Sequence, residues 1–204
     1  MSIALADREV RLPRADVRFP VELRVPAGMR PADPGTWPRV DGRLEYVNGR
    51  LYYMPPCGDE QQDVASDVTF ALRGWSELHG GFVVGSNEAG MILGEEVRAA
   101  DVAVWRMESG SRTGGYRRLP PILAVEIAGQ DEGESELRTK ASWYLSNGVG
   151  VVWLVFPARR EVLVVRAGGE TRYGAGETLP AHHDLPGLAP AVDALFAQLE
   201  RGRK

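Results

Sequence analysis

The segment "ILAVEIA", Ile122 to Ala128, is apolar at every position but one. Its length and its branched side chains read as a buried strand, with Glu126 in its interior. A carboxylate in such a strand is costly unless it is paired or holds a cation. Alternation puts Val125 and Ile127 on one face, and Ala124 and Glu126 on the other. A helix covering the second face would bury the carboxylate. An edge position would leave it in water.

The rest of the chain supplies the elements of a covered sheet. In "VRFPVELRV", residues Val17, Phe19, Val21, Leu23 and Val25 point one way, and Arg18, Pro20, Glu22 and Arg24 the other. That is a half-buried strand, placed at a sheet edge by Pro20. A loop rich in Pro and Gly follows. "GRLEYVNGRLYYM" is a hairpin around Asn48-Gly49, where both residues tolerate positive φ. "DEQQDVASDVTFALRGWSELHGG" is a helix whose apolar stripe is Val64, Val68, Ala71, Leu72, Trp75 and Leu78. Acidic residues open it, and Gly80-Gly81 ends it.

"GFVVGSNEAGMILGEEVRAADVAVW" gives two or three strands, and "MESGSRTGGYRR" a polar loop. "DEGESELRTKASWYLSNG" is a second helix with Leu137, Ala141, Tyr144 and Leu145 inward. "VGVVWLVF" and "EVLVVRA" are strands paired through "PARR". "PAVDALFAQLE" is a closing helix with Val192, Leu195, Phe196 and Leu199 inward. This order predicts an α/β fold, a mixed sheet flanked by helices in one globular domain. Residues 1–40 form an N-terminal strand and linker, and residues 41–200 the main body.

The 204 residues are 44% hydrophobic, enough for a real core, and carry a formal net charge of −4. No global positive field draws this chain to nucleic acid, so such binding needs local basic patches. The single cysteine, Cys57, excludes an internal disulfide and a cysteine zinc site, and suits a reducing cytoplasm. The apolar stretch in "MSIALADREVRLPR" is too short for a signal peptide or a membrane span. The expectation is a cytoplasmic protein. No Gly-rich phosphate loop is present. His182-His183 alternate faces in a strand and make a poor metal pair. His79 reads as a partner for a helix C-terminus.

Asp101 directly precedes the apolar run Val102 to Trp105, at or near a strand start. Alone it reads as a solvated strand end. If its strand pairs with that of Glu126, the two carboxylates meet. They then repel, and one protonates unless a cation lies between them. Mg²⁺ or Mn²⁺ suits such a pair, taking carboxylates, waters and phosphate oxygens. The Ile127 carbonyl is placed to add a ligand. Lys140, in the following helix, either pairs with Glu136 at the surface or carries its ammonium over the carboxylates. There it would stabilise charge at a reacting phosphorus or hold the attacking water.

These residues resemble the restriction endonucleases of the Uma type, a branch of the PD-(D/E)XK nuclease superfamily. The resemblance runs from about Asp41 to Leu199, through "LEYVNGRLYYMPP", "RAADVAVW", "PPILAVEIAGQDE", "LRTKASWYLSNGVGVVWLVFP" and "LPGLAP". It implies a restriction-endonuclease-like core. Asp101 would be the Asp of the PD motif and Glu126 the acidic residue of (D/E)XK. The lysine of that motif would be Lys140, carried on the next helix, since the usual position is Ala128. Glu45 would complete the acidic cluster, although it could also be a cross-strand partner of Arg43 or Arg50. The chain departs from the pattern at Ala100 for the Pro, Gln61 for a His, Gly129-Gln130 for Ser-Pro and Phe156 for an acidic residue. The strand at 17–25 has no counterpart.

The resemblance implies a Mg²⁺-dependent endonuclease acting on DNA. Arg106, Arg112, Arg117 and Arg118 around the polar loop are candidates for salt-sensitive phosphate contacts. Gln61 is a candidate for nucleic-acid contact that carries no proton. A homodimer would suit the cutting of two strands. The rival readings are a nuclease fold that only binds or assembles, and a phosphoesterase acting on smaller substrates.

Overall fold

The computed structural model describes residues 19–107, 114–130 and 132–201. Among these residues, nine strands form one sheet: β1 (Val21–Leu23), β2 (Arg43–Val47), β3 (Arg50–Met54), β4 (Phe82–Leu93), β5 (Glu96–Arg106), β6 (Leu123–Ile127), β7 (Val151–Phe156), β8 (Glu161–Arg166) and β9 (Gly169–Tyr173). Three α-helices accompany them: α1 (Asp59–His79), α2 (Glu134–Ser146) and α3 (Ala197–Arg201). The order across the sheet is β1-β3-β2-β5-β6-β7-β8-β9, with β4 paired to β5. All neighbours are antiparallel except β6 and β7, which α2 joins as a parallel crossover.

The alternation of β6 sorts the two faces as its sequence predicts. Leu123, Val125 and Ile127 pack with Val64, Val68, Leu72 and Trp75 of α1. Ala124 packs with Leu137, Ala141 and Tyr144 of α2. With helices on both faces, every residue of β6 is buried, Glu126 among them. Burying each large apolar side chain contributes about 1.5–3 kcal/mol. The edge reading of Glu126 is thereby excluded.

Several local expectations are met, and some are corrected. Asn48 and Gly49 turn the β2–β3 hairpin with φ of 51° and 76°, the left-handed pair that matches the twist of the strands. Helix α1 opens on Asp59 and Glu60 and stops at Gly80, whose φ is 62°. Leu78 is not part of its buried stripe; it is exposed, as is Phe70. The N-terminal strand extends only over Val21–Leu23, pairing with β3 at the sheet edge, and Val17 lies outside the described residues. The long segment after α1 makes two strands, not three. Strand β9 was not foreseen, because "GETRY" is polar and mostly exposed. The closing helix is a 3₁₀ turn, Val192–Phe196, followed by the short α3. No helix among the described residues is long and apolar enough to cross a membrane.

The sheet divides at β5. Strand β4 runs along one edge of β5 for its whole length. Strands β2 and β6 therefore share the other edge, β2 at Val97 and β6 at Val102 to Val104. The residues of β5 between those contacts face a fork in the sheet.

Gly42 sets the entry into β2. Its φ is 151°, and a Cβ there would lie 2.5 Å from the Met54 carbonyl oxygen. Backbone cannot yield as a side-chain tip can. Gly42→Ala is therefore expected to destabilise the protein by about 1–3 kcal/mol. An unchanged urea midpoint would remove this role for Gly42.

Candidate active site

The fork gathers the carboxylates. Asp101 is in the middle of β5, not at a strand start, and its side chain reaches across the gap to β6. Its Oδ2 accepts the Ile127 N–H at 2.7 Å. Glu45, from β2, accepts the Ala99 N–H at 3.3 Å through Oε1. Each carboxylate thus satisfies a main-chain donor that the divided ladder leaves without a strand partner. Glu45 does not serve as the partner of Arg50, which pairs with Glu22 instead.

Glu126 enters the same region from β6, with 1% exposure. Two donors of α2 reach it. The Lys140 ammonium donates to Oε2 at 3.1 Å, and the Tyr144 hydroxyl to Oε1 at 2.6 Å. Lys140 and Tyr144 are one helical turn apart, so both present to one face of α2. Lys140 also pairs with Glu132 at 2.6 Å. Its partners are these two carboxylates, not Glu136.

Burial sets the electrostatics. It pushes the Glu126 carboxyl up to about 7; Lys140 opposes that rise, and Asp101, Glu132 and Glu45 add to it. Burial likewise raises Asp101, partly offset by Arg43 and by the Ile127 N–H. Burial would lower Lys140, but Glu126, Glu45 and Glu132 outweigh it and hold the ammonium charged. Tyr144 is kept as a neutral donor by burial and by the charge on Glu126.

A cleft of about 980 Å³ opens over this group, lined by Arg43, Glu45, Gln61, Glu88, Glu132 and Lys140 among others. Among the described residues, carboxylates of Glu45, Glu88, Asp101, Glu126 and Glu132 interact there with Arg43 and Lys140. Hard oxygen donors in such excess fit a divalent cation. Gln61 donates its side-chain amide to the Ile127 carbonyl at 3.0 Å. That carbonyl keeps a second lone pair for another partner.

Sequence reasoning missed Glu88, Glu132, Tyr144 and Arg43 in this group. Glu88 lies with Asn87 in an irregularity of β4 between Ser86 and Ala89, opposite Asp101. Both residues have left-handed φ, 56° and 61°. The signal was the turn-type residues "GSN" inside an otherwise strand-like run. Tyr144 was read only as core, yet its spacing from Lys140 placed its hydroxyl at Glu126. Arg43 was treated as a neighbour of Glu45 on a hairpin; its guanidinium instead approaches Asp101 at 3.5 Å.

Among the described loop arginines, Arg106, Arg117 and Arg118 do not line the cleft. Arg106 pairs with Asp184 at 2.6 Å. Arg117 stacks over the Trp105 ring at 4.6 Å. Arg118 donates to the Ala32 carbonyl at 3.3 Å. Arg112 lies outside the described residues. His182 and His183 do lie beside a third donor, Asp184, but that carboxylate is engaged by Arg106. His79 accepts its expected place, with Nδ1 2.9 Å from the Trp75 carbonyl near the end of α1.

Tyr144→Phe removes one donor from the Glu126 carboxylate. A hydrogen bond to a charged group contributes about 1.5–3 kcal/mol. The variant's Glu126 is therefore expected to titrate above the native value, moving the acid limb of any pH–rate profile upward. An unmoved limb would show that Tyr144 does not tune Glu126.

No curated protein matches the chain. A solved structure from Anabaena variabilis, described as "a putative nuclease belonging to DUF820", shares the fold with a TM-score of 0.70 at 16% identity. The match covers 80% of this chain and 94% of that one. A family model, Uma2, described as "Putative restriction endonuclease", matches residues 35–195. That span holds every carboxylate of the fork together with Lys140, and by it the chain belongs to the Uma2 family.

Proposed function

We propose that this protein is a divalent-metal-dependent endonuclease that hydrolyses phosphodiester bonds of DNA. The observation that carries this reading is the convergence of Glu45, Asp101 and Glu126, from three strands, with Lys140 at one fork in the sheet. Asp101 and Glu126 would hold Mg²⁺ or Mn²⁺, with the Ile127 carbonyl as a further ligand. The metal, when bound, supplies an acidified water and neutralises phosphate charge. Lys140 opposes the burial that favours the neutral form of Glu126, and it would place an ammonium where negative charge develops. Tyr144 fixes the orientation of Glu126. Glu45 steadies the backbone of β5 beside Asp101 and adds negative potential for the cation. Gln61 orients the Ile127 carbonyl and lines the path of the nucleic acid. In solution, a homodimer would offer one cleft to each DNA strand.

The test is incubation with supercoiled plasmid in Mg²⁺, Mn²⁺ or chelator. Nicking with metal and none with chelator is expected. No nicking in either metal, or nicking that ignores chelator, would defeat the proposal. The approach of Arg43 to Asp101 favours a second reading, a nuclease fold that binds without cutting. That reading expects metal ions to leave the melting temperature unchanged.

A further inference from the structure

Arg43 is the least satisfied cation of the cleft. It begins β2, and its side chain is only 12% exposed. A guanidinium carries five N–H donors in a fixed fork. Here Nη1 reaches Asp101 Oδ1 at 3.5 Å, the limit of a hydrogen bond, and Nη2 reaches Met54 Sδ, a weak acceptor, at 3.4 Å. Nε is buried and has no hydrogen-bond partner; the carboxylate nearest to it is Glu88, 3.9 Å away. None of this is a bidentate pair.

Other cations lining the cleft are well partnered. Lys140 holds Glu126 and Glu132. Arg98 holds Glu96 at 2.7 Å and lies over Trp143. Arg159 holds Glu134 at 2.6 Å. A buried guanidinium with open donors is costly to leave so, and surrounding carboxylates keep it charged. The group that matches an open guanidinium fork is a tetrahedral oxyanion, which takes two parallel N–H bonds.

We propose that Arg43 is a phosphate-binding residue of the cleft, taking a non-bridging oxygen of the nucleic-acid phosphate through its weakly engaged Nη donors. The proposal rests on the nuclease reading and adds a contact to it. It divides the work of the two cations. Lys140 serves the carboxylates, and Arg43 positions the substrate.

The deciding measurement is the arginine Nε–H region of a ¹⁵N–¹H correlation spectrum of the full chain with Mg²⁺. The Arg43 signal is assigned by its loss in Arg43→Lys. Inorganic phosphate is titrated in at constant ionic strength against chloride. A saturable shift of the Arg43 signal, absent with chloride, is expected. An unmoved signal overturns the proposal, whatever the variants do. In parallel, Arg43→Gln is expected to lower kcat/KM for plasmid nicking about 100-fold, mostly through KM, with partial rescue in Arg43→Lys. Full activity in Arg43→Gln would also overturn it. Absence of nicking by the native protein would defeat the nuclease reading alone, because the spectrum judges Arg43 without it.

Discussion

Asp101→Asn is expected to lower metal-dependent plasmid nicking by about 10³-fold or more, a barrier increase of about 4 kcal/mol, while the protein still folds. Asparagine keeps an oxygen that can accept the Ile127 N–H, so the bridge from β5 to β6 survives. What is lost is one negative charge in the group proposed to hold a cation. Arg43 also loses its nearest charged partner at 3.5 Å, which favours neither metal nor catalysis. Single-turnover nicking, with Mn²⁺ affinity read by electron paramagnetic resonance, separates the effects. Weakened Mn²⁺ binding together with lost nicking identifies Asp101 as a ligand. Nicking within tenfold of the native rate would take Asp101 out of the mechanism.

The second large effect is on stability and depends on pH. Metal-free Glu126→Gln is expected to melt above the native protein at pH 8, by roughly 5 °C. Glu126 titrates near 7 when folded, against 4.5 as the ordinary value. Its raised folded value means that the folded chain holds a proton the unfolded chain has already released. The stability tied to that proton is fully present below pH 4.5 and is lost as pH rises through 7. Glutamine is neutral throughout and can still accept from the Tyr144 hydroxyl, so it escapes the loss. The gain should shrink as pH falls and vanish below pH 4.5. Mg²⁺ should stabilise the native protein at pH 8 and leave Glu126→Gln nearly unmoved, since a bound cation rewards the ionised form. Equal melting temperatures at pH 8 without metal would mean that Glu126 is not a burden to the fold.

The strands and helices flanking the site were legible because each carries a local pattern. The period of β6 placed Glu126 on the α2 face, and the helical spacing placed Lys140 within reach of it. Asn48-Gly49 announced its hairpin. The position of Asp101 was harder, since "RAADVAVW" does not show that pairing with β4 extends the strand to Glu96. Arg43 was beyond a local pattern, and "GSN" marked an irregularity near Glu88 without showing what it faces. Both reach the cleft through pairings across the sheet, the first at the fork and the second at an irregularity opposite Asp101. Strand order is a property of the whole chain, so nothing within a few residues of Arg43 points to Asp101, 58 positions away. The loop arginines show the same limit of local reading, because Arg106, Arg117 and Arg118, close in sequence, each take a different partner.

The fork also bears on when the site comes into being. Its members arrive on β2, β5, β6 and α2, and two of its carboxylates stand in for strand contacts that the divided ladder lacks. No contiguous stretch of the chain contains enough of it to bind a cation. The cleft is therefore complete only when the β2 hairpin and the β6–α2–β7 unit have both docked on β5. A nascent or partly melted chain would have no half-built version able to damage nucleic acid. On the proposed function, this would confine activity to the completed molecule, and activity on heating should vanish in step with the slowest-exchanging amides of β5 and β6.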